Sequence, residues 1–352
     1  MRSTKKMYLF CVPPTCGGAE RVTLTIAKLL WQKGNNVKIV IIGNREGEIR
    51  DFIPSFFDVS FIKISNIWDF TTFKLVRLLK KQKPSVTFCS LIYLNLRVIA
   101  ASKYVGGIKS IVRNNNSIES AGFINRLLMK LLYPLADEIL LQTDEMKAEF
   151  ISSKIRLAPT KIHVIFNPID KDTIGEKASS INPFKLHTIN YVYVGRIERV
   201  KGLDVLMFAF SKVLKRVPNA FLYIVGRIDS NHRYYQEIRQ QVSLLGLEGN
   251  VIWVGFSDNP YQYMRFADCV VLPSRREGLP NVILESMYLQ TPVVVTRSVP
   301  VINQIVSREQ GIVVDVDNVD QLALAMVDIL KYKNTTEFKP RTDEVLLDLF
   351  KV

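Results

Sequence analysis

Two glutamates stand eight positions apart in the stretch SRREGLPNVILES: Glu277 before a Gly-Leu-Pro-Asn turn and Glu285 beyond it. On an ideal helix eight steps turn through about 800°, so two such side chains lie roughly 80° apart rather than stacked on one face. A structural pair is better served by a spacing of three or four. The eight-residue spacing suits one carboxylate on a loop and a second reaching back from the following helix, because helical side chains lean toward the N-terminus. A carboxylate held like Glu285 can accept both hydrogen bonds of a vicinal diol such as a ribose. Glu277 then faces another part of the same extended ligand. The backbone amides from Gly278 and Leu279 to Asn281, with the helix dipole behind them, add positive potential.

A second group of residues follows an apolar run in the stretch VGRIERVKGLD. Arg196 and Lys201 lie in a loop before a helix that starts near Gly202. Two fixed cations at a strand end can hold a diphosphate, one as a fork and one as a point charge, and can stabilise it as a leaving group without a metal ion. A solvated pair of charges is the plainer account of that loop taken alone. Near the N-terminus, PPTCGGAERV places Gly17 and Gly18 at the opening of a helix, where a ligand can approach the backbone and helix N–H groups face an anion. The stretch matches neither the dinucleotide fingerprint nor the triphosphate loop, and many strand-to-helix turns use glycine for purely structural reasons.

These stretches need elements to position them. Thirteen short runs rich in β-branched and aromatic residues alternate with helix-length stretches, from KMYLFCV (6–12) and NVKIVIIG (36–43) to PVVVT (292–296) and GIVVDV (311–316). Continuous apolar strands separated by helices indicate parallel sheets covered on both faces. Thirteen strands are too many for one comfortable sheet, and 352 residues allow two cores. The sequence therefore reads as two doubly wound α/β domains: 1–167, a polar linker 168–188, and 189–335, followed by a tail 336–352 expected to cross back to the first domain. In doubly wound sheets ligands sit at the carboxyl ends of strands, which is where these residues fall.

Composition narrows the partners. The first 167 residues carry 25 Lys and Arg against 12 Asp and Glu, a net +13, whereas the remainder balances 22 against 21. A basic half joined to a neutral half implies that one domain faces something anionic, with nucleic acid and an anionic membrane surface both compatible. First-half aromatics such as Phe10 and Phe61 fall in apolar runs, which disfavours a nucleic-acid stacking platform. No apolar run approaches the eighteen or so residues of a membrane span, and the six-residue run before Pro13 is too short for a signal peptide. Four scattered cysteines, without metal-ligand spacing, read as reduced thiols. Asp315-Val316-Asp317 has the form of a metal-binding D-x-D but ends a strand just before a helix, where capping and turn roles are the expected ones.

Taken together, GGAER (17–21), FNPID (166–170), VGRIERVKG (194–202), ADCVVLPSRREGLPNVILES (267–286), TPVVVT (291–296) and GIVVDVDNVDQLALAM (311–326) resemble, in order and spacing, the retaining glycosyltransferase family 4 class over nearly the whole chain. That resemblance implies a GT-B fold, two facing Rossmann-like doubly wound domains with an interdomain cleft. It implies a hexosyltransferase-type, metal-independent enzyme that takes a nucleotide-sugar donor, with UDP the expected nucleotide and no cofactor. By the same resemblance Arg196, Lys201 and Glu277 are the catalytic residues. The donor is bound by Gly17, Gly18, Arg196, Lys201, Glu277, Gly278, Leu279 and Glu285, the glutamates forming the E-x7-E motif. SIVRNNNS (110–117) is similar to a Ser-Glu-Arg-Asn stretch of members acting on lipid-linked sugars and gives Arg113 and Asn114 as acceptor-side residues, with Val112 in place of the Glu. The implied acceptor is a lipid-linked (polyprenyl-diphosphate) sugar or oligosaccharide in capsule or O-antigen biosynthesis. The protein would then be cytoplasmic and peripheral at the inner face of the cell membrane, its N-terminal domain on the anionic membrane surface and no nucleic acid bound. A non-catalytic nucleotide-sugar-binding or nucleic-acid-binding protein of the same fold is the alternative. The chain departs from the family at Gln290 and Pro300, in a region without the usual glycines, and at Gln304.

Overall fold

The computed structural model describes residues 6–64, 71–115, 118, 121–153, 155–179, 181–332 and 342–351. The last two residues of SIVRNNNS and the start of the tail, 336–341, lie outside them. By internal contacts the chain divides into two compact units, Met1–Pro168 with Pro340–Val352, and Ile169–Lys339.

The first unit runs β1 (Met7–Val12), α1 (Gly18–Gln32), β2 (Asn36–Gly43), α2 (Ile49–Phe52), β3 (Asp58–Lys63), α3 (Thr71–Gln82) and β4 (Val86–Cys89). It continues with α4 (Ile92–Val105), β5 (Lys109–Arg113), α5 (Phe123–Leu132), β6 (Glu138–Leu141), α6 (Asp144–Ser152) and β7 (Ile162–Val164). Seven parallel strands stand in the order β3-β2-β1-β4-β5-β6-β7. The reversal after β1 sends α1 to one face of the sheet and α3, α4 and α5 to the other, as right-handed crossovers require. The strands inside the sheet, β2, β1, β4, β5 and β6, are buried almost end to end, the pattern of a sheet covered on both faces.

The second unit opens with α7 (Lys171–Ala178) and β8 (Ile189–Val194), α8 (Leu203–Leu214), β9 (Ala220–Val225), α9 (Arg233–Leu244), β10 (Val251–Gly255) and α10 (Pro260–Phe266). It closes with β11 (Cys269–Leu272), α11 (Asn281–Tyr288), β12 (Val293–Thr296), α12 (Ile302–Ile305), β13 (Gly311–Val314) and α13 (Val319–Asp328). Its six parallel strands follow the order β10-β9-β8-β11-β12-β13. All thirteen expected strands are present, and both units are doubly wound.

Two expectations need correction. The stretch 168–188, expected as a linker without periodicity, contains α7. Its polar sequence hides a helix started by the Asp170 side chain, which accepts from Thr173 N at 3.1 Å. Of the capping and turn roles expected for the D-x-D residues, the turn holds and the capping passes to the next residue. Asn318 caps α13 through Gln321 N, whereas Asp317 sits in the turn at φ 58° and pairs with Arg275.

The final helix, α14 (Thr342–Leu349), belongs to the first unit. Leu346 and Phe350 are buried there, and the Phe350 ring stacks on Phe10 at 6.0 Å while its carbonyl accepts from Tyr8 Oη at 3.2 Å. Lys109 Nζ donates to the Leu349 carbonyl at 2.8 Å, so a basic side chain closes the helix C-terminus.

Candidate active site

In the second unit the residues of interest gather at the carboxyl ends of β8 and β11, adjacent strands at which the strand order reverses. The loops leaving these strands touch so closely that side chains are excluded between them. Gly202 has φ 70°, and a Cβ placed on it would lie 2.0 Å from the Pro273 carbonyl. A Cβ on Gly226, just beyond β9, would lie 1.9 Å from the Gly195 carbonyl. Glycine here serves close backbone approach, which holds the two charged loops in register.

At their meeting point Lys201 Nζ lies 2.7 Å from Glu277 Oε1, the side chains 16% and 10% exposed. Ser274 Oγ donates to the same carboxylate oxygen at 2.6 Å. Thr296, at the end of β12, hydrogen-bonds the Ser274 carbonyl and steadies that loop from beneath. The ammonium of Lys201 has three protons and the carboxylate two oxygens, so this pair keeps capacity for a ligand while holding each charge in place. Arg196 is elsewhere: its side chain is 73% exposed and pairs with Glu198 at 2.7 Å. The structure therefore brings Lys201 and Glu277 together and leaves Arg196 displayed at the rim, although the Tyr193 hydroxyl fixes the Arg196 carbonyl at 2.7 Å.

Gly278, Leu279 and Pro280 lead into α11, with Pro280 as N-cap offering no side-chain oxygen to the first-turn amides. Glu285 is the fifth residue of α11 and half-buried, so it projects from the second turn while Glu277 stays on the loop. The spacing of eight separates loop from helix.

An arginine that composition and spacing did not single out organises this end of the sheet. Arg275 donates through Nη1 and Nη2 to the two oxygens of Asp204 at 2.9 and 2.7 Å, and through Nε it pairs with Asp317 at 2.8 Å. Its own amide reaches the Val200 carbonyl at 2.8 Å, tying the two loops directly. Tyr234 Oη donates to Asp204 Oδ1 at 2.7 Å. Burial opposes ionisation of Asp204, but the hydrogen bonds from Arg275 and Tyr234 outweigh it and hold its carboxyl below the ordinary aspartate value. No spacing rule pairs Arg275 with Asp204, 71 residues away; only the fold does.

In the first unit Gly17 caps α1 and Gly18 begins it, both exposed, and Glu20 Oε2 accepts the Gly17 N–H at 2.9 Å. With no side chain at Gly17, this is the only half of a capping box that can form. Arg113 ends β5 and Asn114 follows it, both inside a buried polar cluster. The Arg113 guanidinium is held by Asn115 and Asn167, and the Tyr133 hydroxyl donates to Asn114 Oδ1 at 2.6 Å. Burial among amides, without a carboxylate, pushes the Arg113 guanidinium down to about 9. Both side chains are sealed from solvent at 2% and 0% exposure, so they act on their surroundings through Asn115, Asn167 and Asn95. Among the described residues, no group of three or more His, Cys, Asp or Glu could hold a metal ion.

The chain is similar in sequence and fold to known proteins. Residues 16–173 match the Glycosyltransferase Family 4 model and residues 176–341 the Glycosyl transferases group 1 model. The chain is similar to an N-acetylgalactosamine-N,N'-diacetylbacillosaminyl-diphospho-undecaprenol 4-alpha-N-acetylgalactosaminyltransferase of Campylobacter jejuni, 25% identical over 99% of this chain and 97% of that relative. A capsular polysaccharide biosynthesis glycosyltransferase, CapH of Staphylococcus aureus, is 25% identical over 77% of this chain and 75% of its own. An uncharacterized glycosyltransferase of Methanocaldococcus jannaschii is 26% identical over 65% of this chain, which spans 61% of that relative's length. Among solved structures, Anabaena HepE in complex with UDP-glucose superposes with a TM-score of 0.77 over 93% of this chain and 90% of that one, at 18% identity. With the two models meeting end to end along two doubly wound units, the chain belongs to the glycosyltransferases of GT-B fold.

Proposed function

We propose that the protein transfers a hexose-type sugar from a nucleotide diphosphate, UDP in the first instance, to a lipid-linked acceptor with retention of anomeric configuration, in the assembly of a bacterial surface polysaccharide. The observation that carries this reading is the enclosed Lys201–Glu277 pair at the ends of β8 and β11. Lys201 is the fixed cation for the donor diphosphate, joined by Arg196 when that exposed side chain swings from Glu198. Together they neutralise the departing diphosphate and take the part a divalent ion plays elsewhere. Glu277, released from Lys201 as the phosphates arrive, orients the donor sugar. Glu285 accepts from the ribose hydroxyls, and the start of α11 adds positive potential. The Campylobacter relative, whose acceptor is a diphospho-undecaprenol sugar, supports the lipid-linked acceptor, and CapH supports the polysaccharide product.

The test is calorimetric titration with UDP and GDP, in buffer containing EDTA, of wild type and Glu285→Ala. Metal-free UDP binding that the substitution weakens at least tenfold supports the reading; binding that needs a divalent ion, or that ignores Glu285, overturns it. Retention is tested by NMR of the anomeric proton in the first product.

A further inference from the structure

Arg275 stands two residues before Glu277, yet its charge is committed elsewhere. Nη1 donates to Asp204 Oδ1 and, at 2.6 Å, to the Arg199 carbonyl, while Nη2 reaches Asp204 Oδ2 and Nε reaches Asp317. A guanidinium has five N–H donors, and these contacts use all but one. Two carboxylates also face its single positive charge. A diphosphate would meet a surplus of negative charge here, so Arg275 is not itself a phosphate ligand.

What it holds is the turn that carries Lys201. Arg199–Lys201 form one tight helical turn between β8 and α8. Arg275 grips it through the Arg199 carbonyl with its side chain and through the Val200 carbonyl, at 2.8 Å, with its own amide. Both acceptors are backbone atoms, so any shift of the turn breaks them. α9 meets the same turn. Tyr234, 4% exposed, donates through Oη to Asp204 Oδ1 and accepts the Asp204 N–H at 3.2 Å. Its ring lies under the Arg199 guanidinium, 5.0 Å from the centroid. Lys201 is on one of the two loops that Arg275 joins and Glu277 on the other, so this fork sets the separation of their backbones. In a positioned site a displacement of about 1 Å can cost about 10²-fold.

We infer that Arg275 is a positioning residue for the donor diphosphate. By locking the Arg199–Lys201 turn to the loop that carries Glu277, it fixes the point at which the Lys201 ammonium meets the phosphates. This rests on the reading of Lys201 as the diphosphate cation, and it names the residue that aims it.

The experiment compares wild type, Arg275→Lys, Lys201→Ala and the double variant by calorimetric titration with UDP, and by hydrogen exchange of the same proteins without ligand. Arg275→Lys keeps the charge and loses the fork. It is expected to weaken UDP binding about tenfold and to speed amide exchange in 196–202 as well as in 274–280, with β8 and β11 unchanged. In the Lys201→Ala background the same substitution should change UDP affinity by less than about twofold, because the residue it aims is gone. A residue that merely supported the fold would lower affinity by the same factor in both backgrounds. Tyr234→Phe keeps the ring and removes only the hydroxyl, so it tests the same turn in a gentler variant, with a loss of about threefold in UDP affinity. Losses from Arg275→Lys and Lys201→Ala that multiply independently overturn the inference, and so does unchanged exchange in 196–202. If wild type binds UDP and Arg275→Lys binds it equally well, this inference fails alone. If the loops loosen but wild type binds neither UDP nor GDP, the transfer reading fails and takes the diphosphate role of Arg275 with it.

Discussion

Lys201 and Glu277 neutralise each other at 2.7 Å in a site where each is largely enclosed. Removing one partner leaves the other charge enclosed and unpaired, which costs more than the pair contributes. Lys201→Ala is therefore expected to lower stability by about 2 kcal/mol and kcat/KM by about 10²–10³. Glu277→Gln keeps the shape and loses only the charge, so it should spare nucleotide affinity and reduce kcat. Steady-state kinetics with chemical denaturation on the same preparations separates the two effects. Asp204 gives a test in pH. Its folded carboxyl titrates below its ordinary value of 3.8, so its stabilisation is complete above that value and drains away as pH falls through the lower folded value. Asp204→Asn should lose about 1–3 kcal/mol at neutral pH and show a shallower acid limb in a denaturation series.

At the scale of elements, the site depends on loops that glycine lets approach. Gly202 combines φ 70° with a carbonyl at Cβ distance, so Gly202→Ala must push the loop before α8 away from the one after β11. The expected result is a loss of about 3 kcal/mol together with loss of UDP binding, read by thermal unfolding and titration. Gln290 presents the opposite case. It ends α11 at φ 60°, exposed, in a region where a side chain is unfavourable and where the resembled family has glycine. Gln290→Gly should stabilise the protein by about 1 kcal/mol, measured by urea unfolding, without changing kcat. At Gln290 the departure from the resembled family is one of backbone strain beyond the helix.

On the scale of the molecule, each unit has its own sheet and core, and α14 completes the first unit from the far end of the chain. Phe350 is 1% exposed against Phe10 and Phe88. Phe350→Ala should cost the first unit about 3–5 kcal/mol. Scanning calorimetry with and without UDP checks this: the lowered transition should be the one that nucleotide shifts less, since the nucleotide contacts proposed here belong to the second unit.

Much of this was legible in the sequence because it depends on local order. Strand alternation with helices, glycines at loop starts and the loop-then-helix spacing of Glu277 and Glu285 are written in neighbouring residues, and the thirteen strands follow them closely. The charge imbalance between halves is likewise a matter of counting. What the sequence could not settle depends on which residues meet across the fold. Arg196 and Lys201 look equivalent in one loop, yet packing encloses Lys201 with Glu277 and leaves Arg196 at the rim. Arg275 gains its role from Asp204 and Asp317, far from it in the chain. Arg113 is a surface-type residue that the ends of β5 and β6 bury among amides.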